Sequence, residues 1–260
     1  MSSIIKTNEI QNSSGGADVK IQALKHPSSS SNNITLASTG IVTMASGNGY
    51  RLNSIQTFTD PSANGTATNT WTKPANVNAV LVYVTGGGGG GASGDANFNH
   101  GGGGHAGGTA IKWINSNLGA TEIVTVGNFG TGGTSDANGN PGSSSHFGSH
   151  CSATGGGEGI KRDSSDAVTS VGYGIGGNIN IHGGFGMGQG PNHIEAESAP
   201  RNGGASFWGG GGMGAHDYNN YYATTGLAYG SGGGGGHHSG TYKAGKEGHE
   251  GIIVVWEYIG

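Results

Sequence analysis

The chain has 260 residues, of which 59 are glycine, a formal net charge of −4 and a pI of about 6.2. No Lys/Arg run exists to neutralise phosphates, so nucleic acid is excluded as a partner. The single Cys151 excludes an intrachain disulfide framework, and no segment approaches the ~18 apolar residues of a membrane helix. The opening Met1-Ser2-Ser3-Ile4-Ile5-Lys6 lacks the apolar core of a signal peptide, so the expectation is synthesis in a cytoplasm without general secretion.

Residues 1–50 read as short strands. Ala17, Val19, Ile21 and Ala23 alternate with Asp18, Lys20 and Gln22, which is strand period two. Ile34 with Leu36, and Ile41 with Thr43, continue the pattern around turns. With so few large side chains this region cannot bury a core alone, so it should lean on copies of itself or on a partner.

Residues 51–260 form the second unit. Ile55 and Thr57 mark a strand, and Thr70-Trp71-Thr72-Lys73-Pro74 leads into a stronger one at Val80–Val84. Six glycines follow at 86–91, and 53 of the 59 glycines lie after residue 85. Thr109–Ile114 and Glu122–Gly127 then predict a hairpin around Asn115–Gly119, and residues 143–148 another strand. From 155 to 250, glycine clusters alternate with polar, aromatic-bearing segments, and Ile252–Tyr258 closes the chain as a buried strand. No helical period occurs anywhere, which predicts an all-β chain.

Two states suit the glycine tracts. One is disorder, the usual reading of aperiodic high glycine. The other is glycine in polyproline II geometry, three residues per turn, with neighbouring helices exchanging N–H···O=C bonds. Low charge, interspersed aromatics and the flanking strands favour the ordered state, which must offset a steep ordering entropy by dense packing.

The chemistry-bearing patterns are weak. Gly86, Gly88 and Gly91 match G-x-G-x-x-G after a strand, but no helix follows to face a pyrophosphate, so no cofactor is expected. His146, His150 and Cys151 sit close in sequence, yet a zinc site needs three or four converging ligands and none is expected here. The carboxylate pairs Asp163/Asp166 and Glu195/Glu197 lack any apolar wall to raise one pKa, so no catalytic residue is named and the chain is not expected to be an enzyme. The best recognition segment is Tyr218, Asn219, Asn220, Tyr221 and Tyr222, with Trp208 nearby in sequence. Tyrosine supplies rigid amphipathic contact area and asparagine adaptable hydrogen bonds.

Several phrases in order resemble the glycine-rich domain of bacteriophage tail fibres. These are Thr70–Pro74, the polyglycine run, Gly103-Gly104-His105-Ala106-Gly107-Gly108, Val126-Gly127, Ser144-Ser145-His146-Phe147-Gly148 and Gly251 to Tyr258, across about residues 54–260. Residues 19–36 are similar to marine-phage fibre segments near an attachment region. The glycine alternation is also similar to T-even-like tip adhesins, which build a sandwich of polyglycine helices. The resemblance implies a homotrimeric virion fibre, made in the host cytoplasm and joined to a neighbouring virion protein through residues 1–50. In this reading residues 51–260 are a β-sandwich-like domain with packed polyglycine helices, displaying loops to a host-surface glycan or outer-membrane protein. The alternatives are a purely structural head fibre, capsid decoration or tail adaptor, an ice-binding protein, and a glycan-cleaving spike.

Overall fold

The computed structural model describes residues 23–24, 34–36, 42–44, 49–59, 67–94, 100–161, 170–188, 201–215, 222–237 and 243–260. Two compact units divide the chain, residues 1–51 with Gly260 and residues 52–259. In the first, β1 (Ala23–Leu24), β2 (Ile34–Leu36) and β3 (Val42–Met44) make an antiparallel sheet in that order, with Leu24 opposite Ile34 and Leu36 opposite Val42. The alternating stretch 17–22 lies outside the described residues.

The second unit is all-β, in two five-stranded antiparallel sheets. The first has the order β11-β10-β9-β8-β5 and the second β12-β7-β6-β13-β4. Their ranges are β4 Arg51–Thr59, β5 Ala67–Thr72, β6 Ala79–Thr85, β7 Thr109–Ile114, β8 Thr121–Val126, β9 Ser145–Phe147, β10 Cys151–Ala153, β11 Gly174–Ile175, β12 Ile179–Ile181 and β13 Ile252–Ile259. Alternate residues of each sheet meet in one core. Val80, Val82, Val84, Ala110, Ile253 and Val255 come from one side; Trp71, Val124, Val126, Phe147 and Ala153 come from the other. Each large side chain buried there contributes about 1.5–3 kcal/mol, and the Trp71 and Phe147 rings tilt together at 5.7 Å.

One expectation is overturned. β7 and β8 do not form a hairpin: β7 pairs β6 and β12, while β8 pairs β5 and β9 in the opposite sheet. The connection between them crosses from one layer to the other, with Asn117 at φ 57°. Both strands carry an apolar side, and placing each in a different layer lets both sides face the shared core.

The glycine tracts are ordered, and their bonding has a three-residue period. N–H groups of Gly86, Gly89 and Ala92 donate to the carbonyls of Gly108, His105 and Gly102. Those of Gly87, Gly90 and Ser93 donate to Ser143, Asn140 and Ala137; those of Gly88, Gly91 and Gly94 donate to His249, Lys246 and Lys243. The carbonyls of the same segment accept in three further directions, from Gly156 and Gly159, from Gly130 and Gly133, and from Gly233 and Gly236. A helix with three residues per turn and no internal bonds presents its backbone in this way. Segments 86–94, 100–108 and 230–237 bond to one another at the centre. Around them lie 128–133, 137–143, 154–160, 183–188, 201–205, 210–215, 222–226 and 243–250.

Glycine is required by distance. A Cβ on Gly88 would overlap the Ser231 carbonyl, one on Gly90 the Thr131 carbonyl, and one on Gly104 the Gly89 carbonyl. With hydrogen alone at Cα, the backbones approach closely enough to exchange N–H···O=C bonds throughout the array, which repays part of the ordering entropy.

Candidate functional site

The array has two unlike ends. At one end the segments run into strands: Thr85 leads into 86–94, 100–108 leads into β7, and 243–250 leads into β13. The chain also reverses there through residues 206–209 and 227–230. At the other end the chain leaves and re-enters between residues 94 and 100, 133 and 137, 161 and 170, 188 and 201, 215 and 222, and 237 and 243. The bonds fix this convergence. Gly94 donates to Lys243, Ser93 to Ala137, Gly102 to Ile160, Met187 to Asn202 and Ala215 to Gly235. The described residues that flank these connections therefore converge at the far end.

Side chains seal this end. The Ala137 N–H donates to Ser93 Oγ at 2.9 Å, and the Lys161 N–H to Asn138 Oδ1 at 2.8 Å. Ser135 and Asp136 take positive φ in the tight reversal at 133–137, and Asp136 pairs with Lys161 at 3.4 Å. The pair is partly exposed and contributes at most ~1 kcal/mol. His100 and His237 are buried with ring centroids 4.3 Å apart. Asn202 Oδ1 accepts from the Gly214 N–H, and Thr224 Oγ1 from the Met213 N–H, tying the flanks of the 216–221 segment to the array.

Of the recognition residues expected from sequence, Tyr218, Asn219, Asn220 and Tyr221 lie outside the described residues. Tyr222 is at the far end, 61% exposed, with Lys243 Nζ 4.7 Å from its ring centroid. That cation–π contact presents an aromatic face and a charge together. Trp208 is elsewhere. It sits in the 206–209 reversal at the sheet end, its ring 6.1 Å from Tyr83 and its Nε1–H donating to Thr85 Oγ1 at 2.9 Å. Trp208 and Tyr222 therefore occupy opposite ends of the array and share no surface. The Gly runs before and after both residues make them look alike in sequence; only the direction of the chain separates them.

The G-x-G-x-x-G backbone is spent inside the array, since Gly86, Gly88 and Gly91 donate to Gly108, His249 and Lys246. His150 Nε2 meets Glu122 Oε1 at 3.1 Å, His146 is exposed and opposite Ser152, and Cys151 is buried. Burial pushes the Cys151 thiol up to about 11, against a smaller opposing pull from Lys112, so its reactive thiolate is scarce near neutrality. Among the described residues no group of three or more His, Cys, Asp or Glu is placed to hold a metal. Asp163, Asp166, Glu195 and Glu197 lie outside the described residues.

His105 stands between glycine pairs, and nothing in the sequence marks it as more than part of that phrase. It stands in the central segment 100–108, where Nδ1 accepts the Gly186 N–H at 2.9 Å and the ring meets Phe185 edge-on at 5.7 Å. Burial holds it below the ordinary 6.5, with Glu158 opposing weakly. The unfolded chain thus takes up this proton first as pH falls. Stability from neutral His105 is present above about pH 6.5 and is lost below it, as pH approaches and passes the folded value. The melting temperature is expected to fall between pH 7.5 and 5, and less so in His105→Gln, whose amide oxygen accepts the same bond without titrating. Calorimetry at both pH values measures the difference; equal pH dependence in the two proteins would show that His105 is not the group responsible.

No curated protein matches the chain. A family described as a glycine-rich domain matches residues 59–258, which takes in β5 to β12, the array and nearly all of β13, and leaves out β4 but for Thr59. The chain belongs to this glycine-rich domain family.

Proposed function

We propose that the chain is a virion fibre protein that recognises a host surface through segments at the far end of its glycine array. The observation that carries this reading is the convergence, at the end opposite the sheets, of the described residues that flank the inter-helix connections. A rigid scaffold bearing clustered loops is a common platform for recognition, because loops can vary without disturbing the support. Tyr222 beside Lys243, flanking Tyr218, Asn219, Asn220 and Tyr221, provides the aromatic and amide chemistry of adaptable binding loops. Residues 1–50 attach the fibre to a neighbouring virion protein, a homotrimer multiplies weak contacts, and the ligand is a surface glycan or an outer-membrane protein. The protein works in the virion, without cofactor, metal, nucleic acid or covalent chemistry.

Labelled protein on candidate host cells tests this. Saturable binding is expected, and it should be lost when residues 216–221 are replaced by a Gly/Ser linker of equal length, a change that leaves the bonds of Ala215 and Thr224 intact. Folded protein that binds no candidate cell, or a linker variant that binds as well as the parent, removes host recognition by this segment. A purely structural virion role is the second reading. Trp208 favours it, because this aromatic packs on Tyr83 and Thr85 rather than facing a ligand.

A further inference from the structure

Strand β8 shows Thr121, Ile123 and Thr125 on its outward side, while Val124 and Val126 enter the core. On one flank Thr125 lies opposite His146 of β9; on the other, Thr68, Thr70 and Thr72 of β5 lie opposite Thr125, Ile123 and Thr121. After Phe147 the chain turns away at Gly148, whose φ of 50° is the left-handed region that glycine adopts freely. The turn borders a groove of about 590 Å³ on the outer side of this sheet. Thr121, Ile123, Thr125, His146, Gly148 and Ser149 line it, together with Glu122.

Glu122 is held in place. Its Oε1 accepts the Gly119 N–H at 2.9 Å and meets His150 Nε2 at 3.1 Å, and its side chain is 15% exposed. Its Oε2 lies over Gly148, where a Cβ would overlap it. Among the described residues no group donates to that oxygen, and none bonds the side chains of Thr121, Thr125, Ser149 or His146. Ile123 stands between the two threonines and is 62% exposed. One groove therefore collects a fixed carboxylate oxygen, three hydroxyls, an imidazole and one apolar side chain, all without protein partners.

We infer that this groove binds a neutral sugar unit. A sugar carries hydroxyls around its edge, each a donor and an acceptor, and C–H groups on its faces. The threonine and serine hydroxyls and the imidazole also donate and accept. An ionised carboxylate oxygen takes O–H bonds roughly twice as strong as a neutral acceptor does. Ile123 offers the C–H face an apolar contact. The volume falls within the ~300–1,000 Å³ of small-molecule sites. No Lys or Arg lines the groove, so nothing there offsets the Glu122 charge against a phosphate or an acidic sugar. A basic side chain would satisfy Glu122 but leave the hydroxyls unused. Thr68, Thr70 and Thr72 continue the hydroxyl surface to the sheet edge, which gives room for a chain of sugars. Glycoside cleavage ordinarily uses two carboxylates, and Glu122 is the one acid lining the groove, so the sugar is held and released unchanged.

The groove lies on a sheet and not at the far end of the array, so this inference and host recognition fail separately. Saturation-transfer NMR of the full chain with the methyl glycosides of glucose, galactose and mannose is the test, with the glycoside of glucuronic acid as the acidic control. At least one neutral glycoside is expected to bind with a Kd of about 1 mM, and the acidic one is not. Ile123→Lys, whose ammonium would occupy the Glu122 oxygen, should weaken binding by more than about tenfold. Ser149→Ala, which removes one hydroxyl from a surface turn, should weaken it by about threefold or more and guards against misfolding of the first variant. The protein with the 216–221 linker should bind the glycoside as the parent does. No neutral glycoside bound at tens of millimolar, binding of the acidic one alone, or binding unchanged in both variants overturns the inference. Loss of sugar binding in the linker protein overturns it too, by moving the sugar site to the far end. Ile123→Lys protein that still binds cells leaves host recognition standing, and sugar binding by protein that binds no cell leaves the groove standing.

Discussion

Gly90→Ala is expected to lower stability by about 3 kcal/mol or more, a drop of roughly 10 °C in melting temperature for a unit of this size. The added methyl would overlap the Thr131 and Gly130 carbonyl oxygens, both backbone atoms that cannot swing aside. The helices at 86–94 and 128–133 must part, which stretches the bonds from Gly130 to Gly88 and from Gly133 to Gly91. The ordinary expectation has the opposite sign, since alanine for glycine at an unstrained site gains ~0.4–1 kcal/mol by restricting the unfolded chain. Gly210 supplies that contrast: it is exposed, and a Cβ there would meet nothing within 4 Å. Calorimetry of Gly90→Ala beside Gly210→Ala therefore separates close packing from backbone entropy. Equal melting temperatures for the two would contradict the contact geometry.

The second large effect concerns Glu257, fully buried on β13. Its Oε1 accepts the Trp71 indole N–H at 2.7 Å and the Gln56 amide at 2.6 Å, and its Oε2 accepts the Ser54 hydroxyl. One carboxylate thereby ties β13 to the edge strand β4 in its own sheet and to β5 in the other. Glu257→Ala strips three donors of their acceptor and leaves a void. The expected loss is about 4 kcal/mol, from the void and from the buried Trp71 N–H, whose stranding costs ~1–3 kcal/mol, with less from the partly exposed Ser54 and Gln56. Glu257→Gln keeps the shape and one acceptor oxygen and should lose less than half as much. Urea unfolding followed by tryptophan emission measures both. An alanine variant within ~1 kcal/mol of the parent would mean that water replaces the carboxylate at little cost.

The sequence was legible where side chains carry the signal. β6, β7, β8 and β13 stand close to their expected positions because β-branched and aromatic residues cluster there. β5 was read only as a lead-in, since Ala67-Thr68-Asn69-Thr70-Trp71-Thr72 offers one large apolar group; its pairing with β8 and the burial of Trp71 make it a strand. β10, β11 and β12 were missed because each has two or three residues, too few to show a period of their own. The glycine order was readable in kind, as laterally bonded helices, but not in detail: a run of identical residues carries no register, so its neighbours cannot be read from it. The same blindness placed Trp208 with Tyr222, because counting along the chain does not say at which end of the array a loop emerges.

The alternating up-and-down course of the glycine helices has a mechanical consequence. A pull applied at the loop end acts along the helix axes, so the lateral bonds between neighbouring segments share the load in shear. They would have to fail together rather than unzip in turn. Because most of those bonds are main chain to main chain, the strength of the array depends little on which side chains the loops carry.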